Sequence, residues 1–284
     1  MHDIARDLGR WAAAAAVSAV TCLGVVACRV AAADPGAGDP CELRVESEIY
    51  ASGAEPVARS LTLFHAGVAW DFLEAGTKVG GEIVLHDPAR ERVVVIDPNR
   101  HLKTQVDLIR LERLSVSLAK WARVNDDRLV RWAGGPDFAS GFTADEEHLE
   151  LVGPRVRYAV AFEEAPCREA AGRYRRFADT AILLKALMTP GGIPPFPRLA
   201  VNQRVEAAGA IPREVMLEIE PKLAGLAGRP ERLRCVHKVH PRLLGGDLDR
   251  IEDAQAHVAA AQAVELATFL DDEAKPARSE PPDS

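Results

Sequence analysis

Between residues 43 and 104 the chain alternates apolar and polar side chains with a period of two, and this pattern constrains its fold most. Successive side chains of a strand point to opposite faces, so such alternation marks strands with one face buried and one wet. In Leu43–Tyr50, Val45 and Ile49 alternate with Glu46 and Glu48. Leu61 and Leu63, then Val68, Trp70 and Phe72, keep the period on either side of Ala66-Gly67. Ile83-Val84-Leu85 and Val93-Val94-Val95-Ile96 are β-branched runs, separated by the turn Asp87-Pro88-Ala89-Arg90 and closed by Asp97-Pro98-Asn99. The segment reads as four or five antiparallel strands in a meander.

The period then lengthens. Leu108, Leu111, Leu114, Leu118 and Trp121 recur at three and four, which predicts an amphipathic helix over about Val106 to Val124. A short helix is expected over Asp127 to Ala133, stopped by Gly134-Gly135-Pro136. Strands return over Leu149 to Glu163. Pro166 is expected at the first turn of a further helix, with Tyr174, Phe177, Ala178, Ala181, Leu184 and Met188 as its buried stripe. The run from Pro190 to Pro197 ends that helix, and another short one is expected over Leu199 to Ala207. Two more strands follow, Val215 to Glu220 and Arg232 to His240, and a last helix from an Asp247 N-cap to about Leu270. Strands, helices, strands and helix in that order give an α+β protein, not an alternating one. The expected architecture is a curved, half-barrel-like antiparallel sheet with helices packed on its concave face. The expected organisation is a signal peptide over 1–33, a linker over 34–42, one domain over 43–270 and a disordered acidic tail over 271–284.

The export expectation rests on the N-terminus. Arg6 and Arg10 precede Trp11 to Ala27, a stretch without a charge. Small residues at Ala31 and Ala33 allow cleavage before Asp34. Val25-Val26-Ala27-Cys28 also resembles a lipobox, with Cys28 as the lipidated residue. An uncleaved anchor is the third reading. The protein is therefore expected to be periplasmic or secreted, or else a membrane-anchored lipoprotein. Contact with a membrane is expected only through that lipid anchor or the uncleaved segment. Cys41, Cys167 and Cys235 remain after cleavage, so at most one intramolecular disulfide forms, and any pair is open.

The net charge of −7 argues against nucleic acid as a partner. No dinucleotide or phosphate loop, zinc-protease, nucleophile-elbow or EF-hand motif is present. Cys235-Val236-His237-Lys238-Val239-His240 has metal-ligand side chains, but strand geometry sends His240 to the face opposite Cys235 and His237. No metal and no cofactor is expected. His65, Asp71 and His86 stand in apolar strands and offer one alternative, an exported hydrolase with a His/Asp site. Trp70 and Phe72 are candidates for lining a ligand pocket.

The stretch Leu61–Leu73, followed by Glu82–Pro88 and Val93–Asp97, resembles a family of uncharacterised exported bacterial proteins, which implies no activity. Over roughly residues 43–165 the order of elements also looks like the lipoprotein-carrier fold, an unclosed β-barrel with helices plugging its concave face. That likeness implies an apolar pocket and a lipid or lipoprotein partner. The expected function is an exported envelope protein without catalytic motif that binds an apolar ligand or lipoprotein. A structural or interaction protein with no small-molecule site is the other alternative.

Overall fold

The computed structural model describes residues 41–51, 53–75, 81–136, 142–220 and 231–274. The expected signal peptide with Cys28, the expected linker up to residue 40 and the expected tail from residue 275 lie outside the described residues. Six strands come first: β1 (Leu43–Tyr50), β2 (Ala58–His65), β3 (Val68–Ala75), β4 (Glu82–Asp87), β5 (Arg92–Asp97) and β6 (Leu102–Asp107). The helices α1 (Leu108–Arg123) and α2 (Arg128–Ala133) follow. Then come β7 (Phe142–Ala144), β8 (His148–Gly153), β9 (Val156–Glu164), α3 (Ala170–Met188) and α4 (Phe196–Ala207). The chain continues through β10 (Ala210–Ile219), β11 (Glu231–His240), α5 (Gly245–Ala260), β12 (Gln262–Ala263) and α6 (Leu266–Ala274).

All twelve strands join one curved, unclosed sheet in the order β12-β6-β5-β4-β3-β2-β1-β11-β10-β9-β8-β7. Every pairing is antiparallel except the short β12–β6 contact. The α+β curved sheet expected from the alternation is the observed fold. Its two halves, β1–β6 and β7–β11, meet where Ser47 faces His237 and Ile49 faces Cys235 across β1 and β11. Both edges are short strands, of two and three residues, which limits edge-to-edge association.

Parity along each strand decides which face a residue serves. On the concave face, Leu43, Val45, Ile49 and Phe64 pack with Val160, Val215, Cys235 and the α3 residues Tyr174 and Phe177. Farther along that face, Val93, Val95 and Val106 meet Leu111 of α1, Leu184 of α3 and Phe269 of α6. The other parity of β2–β5 supplies Leu63, Trp70, Leu85 and Ile96, covered by Ile251 and Ala254 of α5. One helix thus packs on the face opposite the other helices. Arg44 on β1 fixes its start through an ion pair to Asp247 at 3.0 Å. Over β8–β11 the same outer parity is charged, with cross-strand pairs such as Arg157–Glu150 at 2.7 Å and Arg232–Glu218 at 2.6 Å. These exposed pairs keep the outer surface wet and add little stability.

Several boundaries differ from the sequence expectation. Cys41, placed in the expected linker, is buried and bonded to Cys167. Pro166 is not in the first turn of α3, which starts at Ala170 behind Glu169. Cys167 is held by its disulfide there, and its carbonyl accepts the Ala170 N–H at 3.1 Å. The proline at a helix start is Pro197, in α4. Asp247 is not the N-cap of α5 but its third residue, whose carboxylate accepts the Leu244 N–H at 2.7 Å. The last helix is also interrupted: Ala261 turns extended and Gln262–Ala263 join β6. Helix α6 then runs to Ala274, so the first residues assigned to the tail are helical.

Candidate functional site

The concave face holds an apolar cavity of about 840 Å3, near the upper end of the range for small-molecule sites. Its floor is the sheet, through Tyr158, Leu217, Ile219 and Leu233. Leu114, Leu118 and Trp121 of α1 form one wall, and Ile182, Lys185 and Ala186 of α3 another. The loop from Pro190 to Pro195 and the buried Arg198 of α4 complete the lining. The cavity reaches the surface beside Trp121, which is 49% exposed, and beside the exposed Pro190, Gly191 and Gly192.

Local sequence explains the space. Pro190 lacks the N–H that would continue α3, and Gly191 and Gly192 adopt φ of +117° and +87°. The chain therefore leaves the helix after Met188 and runs through a non-helical loop before α4 begins at Phe196. Ala186 presents only a methyl group where a longer side chain would fill the gap.

Charge at the site comes from Lys185, Arg198 and Glu231. Glu231 is exposed at the start of β11, Lys185 is half-buried, and Arg198 is 2% exposed. Burial pushes the Tyr158 hydroxyl up to about 12, against the pull of Arg198. Burial does the same to the Cys235 thiol, also to about 12, which leaves it an unreactive thiol. Beside Arg198, Asn202 donates to Asp179 at 3.0 Å and ties α4 to α3. Burial raises Asp179 to about 9 despite the nearby Arg175 and Arg198.

The structure separates the residues singled out in the sequence. Trp70 and Phe72 lie on the outer parity of β3, under α5, with Arg250 stacked 5.5 Å over the Phe72 ring. Neither lines the cavity; period two places them on the opposite face of the sheet. His65 also belongs to the outer parity and pairs with Glu42 at 2.9 Å. Asp71 and His86 face inward, so His65 does not join them. His86 has Thr180 Oγ1 at 3.4 Å, and burial lowers its pKa to about 4, with Arg176 adding to the effect. Cys235 and His237 share the inner face, while the half-exposed His240 points outward and lies 3.9 Å from Glu46. Among the described residues, the ligand-like trio Cys41, Cys167 and Glu169 has its two sulfurs bonded to each other.

One polar constellation escaped the sequence reading. Ser47 Oγ lies 2.8 Å from His237 Nδ1 across β1 and β11. A serine against a histidine is a nucleophile–base geometry. Here both residues are almost fully buried, and neither lines the cavity. Burial, reinforced by Arg198, lowers His237 to about 3, so it is a neutral core histidine. The two residues lie 190 positions apart, and only the strand register reveals the pair.

Asp71 carries a testable pH dependence. It is buried, accepts a 2.7 Å hydrogen bond from Thr62, and is pushed from 3.8 up to about 6 by burial. A raised carboxyl favours the neutral form in the folded state. Its contribution is therefore full below about pH 4 and is lost as pH rises through about 6. Asp71→Asn keeps an acceptor for Thr62 and cannot ionise. Relative to wild type, it should gain about 2–3 kcal/mol between pH 4 and pH 8 in denaturant midpoints. An equal difference at both pH values would refute the assignment.

No helix among the described residues is long and apolar enough to cross a membrane. No protein-family model and no curated protein matches this chain, so the cavity itself is the basis for a functional reading.

Proposed function

We propose that the protein is an exported envelope protein, periplasmic or secreted, that shelters the apolar part of a lipid or lipoprotein inside its half-barrel. The observation that carries this reading is the cavity of about 840 Å3, walled by apolar side chains from the sheet, α1 and α3 and open at one side. A folded protein closes dry space when it can, because unfilled apolar volume forfeits packing contacts. A space this large, held open by a Pro-Gly-Gly loop, fits a ligand that supplies the missing contacts. The Cys41–Cys167 disulfide supports export, since such bonds persist in oxidising compartments.

The test is binding of N-phenyl-1-naphthylamine, an uncharged apolar fluorophore, followed by its emission. Wild-type protein should bind it with one site per chain. Ala186→Trp places an indole in the cavity and should weaken binding about 10-fold or more while the protein stays folded, the loss of roughly 1.4 kcal/mol of apolar contact. Equal binding by the two proteins would place the probe elsewhere and remove the support for this function.

A further inference from the structure

We propose that α1 is a membrane-docking element, whose solvent-facing ridge lies against an anionic lipid surface and brings the mouth of the cavity to the bilayer. The surface stands on its own residues, whether or not the cavity holds a ligand. It is also separate from the lipid anchor or uncleaved segment expected at the N-terminus.

The inference starts from charge. The chain as a whole carries a net charge of −7, yet α1 holds Arg110, Arg113, Lys120 and Arg123 against one acidic residue, Glu112. None of the four cations forms an ion pair among the described residues. Leu111 and Ala122 are the buried residues of the helix. With about 3.6 residues per turn, the side opposite them is the row Ile109, Arg113, Val116 and Lys120. All four are exposed. That row alternates apolar and cationic side chains along one ridge. Trp121 flanks it on the side where Leu114 and Leu118 line the cavity, and Glu112 falls on the other flank. Val124, the C-cap, is 80% exposed. Of the seven most exposed large apolar side chains among the described residues, Ile109, Val116, Trp121 and Val124 belong to this helix and its cap.

Single exposed apolar residues need no explanation, but four of them interleaved with four cations form a patch. An anionic bilayer satisfies both halves of it. Arg and Lys are attracted to the negative surface within about a Debye length. Isoleucine, valine and tryptophan side chains gain by sinking to the boundary between headgroups and acyl chains, where tryptophan is enriched. Other occupants fit less well. A second copy of the same ridge would set like charges against each other. A protein partner would place Arg113 and Lys120 in the middle of the contact, and the cores of protein interfaces are poor in charged residues, lysine above all. With α1 flat on the surface, Trp121 stands at the headgroup layer, and the cavity mouth beside it opens there.

The experiment mixes the full-length protein with vesicles of phosphatidylcholine alone, or of equal parts phosphatidylcholine and phosphatidylglycerol, and measures co-sedimentation. Binding should be stronger to the anionic vesicles and should fall as salt rises. Arg113→Glu/Lys120→Glu should weaken it about 10-fold or more, because two cations at the surface become anions. Ile109→Ser/Val116→Ser should weaken it about 5-fold or more through lost apolar burial. All four side chains are exposed, so both variants should melt with the wild type. A local readout covers the case in which the N-terminal segment holds every variant to the vesicles. Brominated phosphatidylcholine should quench tryptophan emission more in the wild type than in Trp121→Phe, and the charge reversal should remove that difference. Equal quenching in wild type and Trp121→Phe, with sedimentation unaltered by the charge reversal, would overturn the proposal. A dimer in solution that Ile109→Ser/Val116→Ser dissociates, without vesicle contact by α1, would assign the ridge to a second copy and overturn it too. Binding of N-phenyl-1-naphthylamine is measured without vesicles, so the cavity reading and the docking reading fail separately.

Discussion

Phe177→Ala is expected to destabilise the protein by about 3–5 kcal/mol, the cost of removing a buried aromatic ring and leaving its cavity. Phe177 is 1% exposed in the middle of α3. Its ring meets Phe64 edge-on at 5.6 Å and His86 at 6.2 Å, so it contacts both β2 and β4. Edge-to-face pairs are worth about 0.5–1.5 kcal/mol beyond area alone. The neighbours sit on hydrogen-bonded strands and cannot collapse into the space. Chemical denaturation with guanidinium should show the shift at an unchanged slope. A shift worth under 1 kcal/mol would mean that this face of α3 is not core. The cavity should survive the substitution, because Phe177 does not line it.

Opening the Cys41–Cys167 disulfide should cost about 2–5 kcal/mol, since the bond closes a long loop in the unfolded chain. The two cysteines are 126 residues apart, with Cα atoms separated by 6.2 Å. The bond joins the residue just before β1 to the turn just before α3. Arg173 of α3 strengthens the junction by donating to the Cys41 carbonyl at 2.8 Å. The double variant Cys41→Ser/Cys167→Ser should therefore melt lower than wild type. Dithiothreitol should lower the wild type to the same point and leave the variant where it is. Cys235 is buried with its thiol pushed up to about 12, so it offers no route for exchange in the folded state. Thiol titration of unfolded, unreduced protein should find one reactive group among Cys41, Cys167 and Cys235. Three reactive groups, with no response of the wild type to reductant, would show the bridge absent.

Local pattern and tertiary context contributed differently to each part of this molecule. The meander of β1–β6, the helix over Leu108–Arg123 and the stripe of α3 were legible because their side-chain periods, two and 3.6, are properties of the backbone alone. For the same reason His240 was correctly sent away from Cys235 and His237. The continuous apolar pattern after Asp247 predicted one helix, yet the chain breaks at Ala261. There Gln262 and Val264 donate to His101 and Lys103 across the open edge of β6. An unpaired strand edge can outbid a continuing helix, and no window of local sequence contains that edge. The cavity was illegible for a related reason. Parity told which residues share a face, but not which face α5 would cover, so Trp70 and Phe72 were eligible for a pocket that formed on the other side. The cavity is built from β9–β11, α1, α3 and the 190–195 loop, segments that meet only after the sheet has assembled. The Cys41–Cys167 and Ser47–His237 pairs likewise depend on strand register and chain crossover. The sequence by itself determined the periods, and with them the elements and the α+β class. Long-range pairing decided which faces meet, where space remains between them and which charges look into it.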